Sequence, residues 1–247
     1  MWESLREWLD GDDNARGVLI ENLHRLGFRD ERVTHRLRGL VDKSLSTVMA
    51  IGCLRKLLGL LGEVPDPDAG LIDFERFVQA ADDRVELFQF FDENPRAIEM
   101  LVRLFATSRY LTETVLRNPD SLRELTRHRR LAELKSREEF LNDALSQVAS
   151  APDFTARMDA LRRFQRWELL RIGACDAFGL IDLRAATVQL SLLADSLVQA
   201  CLTLVGHELM LHTVNLTVLA LGKLAFSSWR NLTSSISMRS PALNGCL

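Results

Sequence analysis

Phe154-Thr-Ala-Arg-Met-Asp-Ala-Leu161-Arg-Arg-Phe-Gln-Arg-Trp-Glu168-Leu-Leu-Arg171-Ile172 decides how this chain is read. At about 100° per residue, Phe154, Met158, Leu161, Leu169 and Ile172 fall on one narrow stripe, the signature of a helix with one buried face. Gln165 and Glu168 project toward that stripe, whereas Arg163, Arg166 and Arg171 lie toward other faces. A carboxylate on a core-facing stripe is costly unless it is paired. Glu168 is therefore expected to have a partner, either in an internal ion pair or as a contact to substrate.

The same three- and four-residue spacing runs outward from this helix in both directions. From residue 1 to about Leu204 apolar residues recur at helical intervals, and alternating runs are few. Breaks come where helices should end. Pro65-Asp-Pro67-Asp-Ala-Gly70 marks a loop, and Asn94-Pro95 and Asn118-Pro119 each read as a cap followed by a first-turn proline, starting helices near Arg96 and Asp120. Leu180 to Val205 is again amphipathic. Val214-Asn-Leu-Thr-Val-Leu-Ala-Leu221 differs, being rich in leucine and β-branched residues, and reads as a strand leading into Gly222-Lys223-Leu224. From Phe226 to Leu247 serine, asparagine and arginine dominate with no sustained period, so this tail is expected to have no fixed structure.

Bulk properties exclude several classes. With 247 residues, 47% of them hydrophobic and 26% charged, the chain can bury a substantial core. Its 31 basic and 34 acidic residues are mixed along the length, which argues against a nucleic-acid partner. Four cysteines, Cys53, Cys175, Cys201 and Cys246, stand far apart without a Cys-x-x-Cys pair, so a zinc site or disulfide scaffold is not expected. The amino terminus lacks the basic start and apolar run of a secretory signal, and Cys201 to Leu221 is interrupted by His207, Glu208, His212 and Asn215. A cytoplasmic protein without a membrane segment is the expectation. His207-Glu-Leu-Met-Leu-His212 is not a zinc-protease helix, because histidines five apart do not share a helix face. Phosphate-binding loops and dinucleotide fingerprints of the usual kinds are missing from the sequence.

Three stretches together resemble the glutamine synthetase adenylyltransferase (adenylyl-removing) family. They are Leu101-Val-Arg-Leu-Phe-Ala-Thr-Ser108-Arg-Tyr-Leu111 running on to Leu116-Arg-Asn-Pro119, then Leu161 to Asp176 with Leu190-Ser-Leu-Leu-Ala-Asp195, and finally Val218-Leu-Ala-Leu-Gly222-Lys223-Leu224. The resemblance covers roughly Asp92 to Leu224. Spacing and resemblance together give a mainly α fold: a multi-helix array over residues 1–205, to whose first ninety residues the resemblance adds only a general helical character. The resemblance then implies the first strand of an incomplete α/β nucleotidyltransferase domain over 206–224, and a non-family tail over 225–247. It also implies ATP and Mg2+ as cofactors of the intact enzyme, and as partners glutamine synthetase, whose tyrosine receives or loses AMP, and a PII-type signal protein.

On this resemblance Gly222 and Lys223 match the turn that approaches nucleotide. The family continues with Gly-Gly, Glu-Leu-Asn and an Asp-x-Asp that holds metal, the hard oxygen ligands that magnesium requires. Here no acidic residue follows Glu208. No catalytic residue and no metal ligand can be carried over, and this chain is expected to be inactive alone and to hold no cofactor. Codons for Trp229 to Met238 can be chosen so that a two-base offset reads Ala-Glu-Leu-Asn-Phe-Leu-Asp-Ile-Asp, so a shifted reading frame or truncation is one expected origin of the break. The other reading is a non-catalytic helical module that docks on glutamine synthetase or a PII-type protein.

Overall fold

The computed structural model describes residues 2–41, 46–128 and 130–208. Among them lie twelve helices and no strand. The expected strand Val214–Leu221, the Gly222-Lys223 turn and the tail fall outside the described residues. The described helices divide into two compact units, one of residues up to Leu131 together with Gly173–Leu180, the other of Ala132–Ile172 together with the described residues from Ile181 onward.

The first unit holds α1 (Trp2–Leu9), α2 (Ala15–Arg25), α3 (Val33–Leu40), α4 (Thr47–Leu61), α5 (Pro67–Ala80), α6 (Arg84–Glu93), α7 (Arg96–Thr107), α8 (Arg109–Arg117) and α9 (Asp120–Arg127). α4 is central. Its Ala50, Cys53, Leu54, Leu57, Leu58 and Leu61 are all buried, an i, i+3, i+4, i+7 pattern that turns one broad stripe inward against α1, α5, α6 and α7. Burial pushes the Cys53 thiol up to about 12, so it serves as a small apolar filler. Around Phe91 pack Phe74, Phe77, Phe88 and Phe90, with ring centroids 5.7–6.4 Å away.

The proline signals act as expected at two of three places. α7 starts at Arg96 and α9 at Asp120, each directly after its proline. The asparagines do not cap as predicted: the Asn94 side chain donates back to the Phe90 carbonyl, and the Asn118 carbonyl accepts from the Ser121 hydroxyl. At Pro65–Gly70 the loop is shorter than expected. Asp66 accepts from the Ala69 amide, and Pro67 opens α5, because a missing N–H costs nothing at a first helical position. Gly70 lets α5 approach α4 closely, since an added Cβ would press on the Leu61 side chain.

The second unit is built from α10 (Arg137–Ala149), most of α11 (Phe154–Ala177) and α12 (Leu183–Glu208). Its core joins Phe140, Ala144 and Val148 of α10 to Leu161, Phe164 and Ile172 of α11 and Leu193, Ala200 and Leu204 of α12. α10 begins with a full capping box, the Ser136 hydroxyl accepting from the Glu139 amide and the Glu139 carboxylate accepting from the Ser136 amide. This fixes where the chain enters the helix, and so positions Lys135 just before it.

α11 differs from its helical-wheel reading in one respect. Leu161 and Ile172 are buried as expected, and Phe154, Met158 and Leu169 pack at the edge of the core. Gln165 is exposed, however, while Phe164 and Arg171 are buried. The buried side of α11 is shifted from the stripe drawn through the aliphatic residues toward Phe164 and Arg171. Phe164 faces the core of the second unit in this arrangement, with Met158 and Leu169 packed at its edge. Arg171 comes with it and has to be paired.

Candidate functional site

The rotation of α11 creates the most heavily charged buried spot in the second unit. Glu168 is 1% exposed and Arg171 2% exposed. One Glu168 oxygen accepts from the Arg171 Nε at 2.6 Å, and the other from the Lys135 Nζ at 2.6 Å. Lys135 also donates to the half-exposed Asp143 at 2.8 Å, and Arg171 reaches the Glu133 carbonyl at 3.1 Å. The backbone of Lys135 is held as well. Its amide donates to the Gln189 Oε1 at 2.9 Å, and its carbonyl accepts from the Gln189 Nε2 at 2.8 Å. The short segment before α10 is thus tied to α11 through charges and to α12 through an amide.

This arrangement decides what Glu168 can do. Both carboxylate oxygens are engaged by cations from the same unit, so the group is spoken for before any ligand arrives. Burial disfavours the Lys135 ammonium, but the bonds to Asp143 and Glu168 outweigh it and hold its pKa above the ordinary lysine value. A lysine kept protonated is neither a base nor a nucleophile. The cluster is an internal ion-pair network, the first of the two roles expected for Glu168. Lys135 could not have been named as the partner from sequence, because it lies 33 positions away and no periodicity connects the two.

The first quoted stretch and the Gly173–Asp176 end of the second lie in the first unit. Ser108 caps α8, accepting from the Leu111 amide at 3.4 Å, and Arg109 bridges Asp73 and Glu113, which Arg76 also contacts. Gly173 lies against Leu111, where an added Cβ would be 2.7 Å from the leucine Cδ2. Gly173 of the second stretch thus packs against the first stretch within the first unit. Asp195 is buried on α12, and burial pushes its carboxyl above the usual range against the opposing pull of Arg137. Gly222 and Lys223 are outside the described residues. Among the described residues no group of three or more His, Cys, Asp or Glu side chains could hold a metal ion.

A family model described as glutamate-ammonia ligase adenylyltransferase matches residues 98–225, slightly more than half of the chain. The chain belongs to that family. Relatives include bifunctional glutamine synthetase adenylyltransferase/adenylyl-removing enzymes. That of Thioalkalivibrio sulfidiphilus is 31% identical over 208 residues, which is 80% of this chain and 21% of the relative. That of Chromobacterium violaceum is 27% identical over 202 residues, 78% of this chain and 22% of the relative. A third, from Corynebacterium efficiens, is 28% identical over 169 residues, 63% and 16%. The chain spans about a fifth of the length of the curated relatives it matches. No solved structure matches it. The family match begins in α7 and so takes in α8, the Glu168 network and α12.

Proposed function

We propose that this chain is the helical part of an enzyme that adds AMP to glutamine synthetase or removes it, and that as given it does not catalyse the reaction. The observation that carries the reading is the combination of a family match over residues 98–225 with a sequence that has no acidic residue after Glu208. Phosphoryl-type transfer relies on magnesium held by carboxylates against the phosphates, and Lys223 alone supplies a point charge without a metal cage. ATP and Mg2+ belong to the intact enzyme, with Gly222 and Lys223 near the nucleotide. The described helices would then serve as a scaffold, and the saturated pairing of Glu168 supports that role.

The test uses the 247-residue chain with glutamine synthetase, labelled ATP and Mg2+. No label should pass to glutamine synthetase, and none should leave adenylylated glutamine synthetase with phosphate. Metal-dependent turnover unaffected by Lys223→Ala would overturn both the inactivity and the placement of the nucleotide site.

A second reading, a binding module for glutamine synthetase or a PII-type protein, is favoured by the outer face of α11. Arg163 and Arg166 are exposed there, beside Arg162, which pairs with Asp159 at 2.7 Å. Such a face steers association with acidic surfaces. Titration of glutamine synthetase into the chain at low and high salt separates the readings: a salt-sensitive complex weakened by Arg163→Glu and Arg166→Glu supports the module.

A further inference from the structure

We draw no further inference here: the strongest candidate, the cleft of about 240 Å³ in the first unit where Asp82, Asp83, Glu86 and Asp120 stand around Arg123 stacked over Phe90, is an acidic cluster already joined to its own cation, with Glu86 3.1 Å from the Arg123 guanidinium, and nothing in the structure shows what else it would hold.

Discussion

Replacing Glu168 with glutamine tests the central feature of the second unit. The substitution keeps the shape of the side chain and removes its charge. It leaves Arg171, 2% exposed, and the largely buried Lys135 facing a neutral amide, and one amide oxygen cannot replace two carboxylate oxygens that now accept at 2.6 Å each. Removing one member of a buried pair costs about 3–5 kcal/mol, most of it from the charges left behind. Lys135→Met should cost less, about 2 kcal/mol. Arg171 still compensates Glu168 in that variant, and Asp143 is exposed enough that its bond contributes under about 1 kcal/mol. The double variant should lose clearly less than the sum of the singles, because the pair is coupled. Urea unfolding followed by circular dichroism measures all three. If Glu168→Gln loses under about 1 kcal/mol, or the losses simply add, the network is not a buried, coupled unit. The pH dependence has a definite sign. Lys135 has a raised pKa in the folded state, so its contribution is complete below its ordinary value of 10.5 and is lost as pH climbs through the raised value. Wild-type stability should therefore fall in alkali more steeply than that of Lys135→Met.

Leu161→Ala should cost about 2–5 kcal/mol in the same assay, the usual loss for truncating a leucine as buried as this one at 3% exposure; a loss below half a kcal/mol would mean the α11 core face is misplaced. Gly173→Ala gains about 1 kcal/mol of helix propensity but pushes a methyl to 2.7 Å from Leu111, so a net loss of about 1 kcal/mol is expected, and Leu111→Ala in the same chain should turn it into a gain. Asp195→Asn should stabilise the fold at pH 7. Burial raises the Asp195 pKa, so its ionisation costs stability as pH rises, and the gain from asparagine should vanish in acid below the ordinary aspartate range; destabilisation at pH 7 would show that the carboxylate is favourably paired.

Much of this molecule could be read from its residues alone, because helices are specified locally. Spacing at three and four residues placed helices across residues 1 to about 204, and Pro95 and Pro119 marked the starts of α7 and α9, since proline acts on the backbone of its immediate neighbours. The demand that Glu168 be paired was equally local, following from one charge on an apolar stripe. Which cation answers it was not local. Lys135 is brought to α11 by the capping box that starts α10 and by Gln189 of α12, three elements whose meeting no periodicity encodes. The same holds for the rotation that buries Arg171 and frees Gln165. A helical wheel ranks faces by hydrophobicity, whereas the tertiary fold decides which face meets the core that α10 and α12 also build, and there Phe164 and Arg171 are buried while Gln165 is exposed.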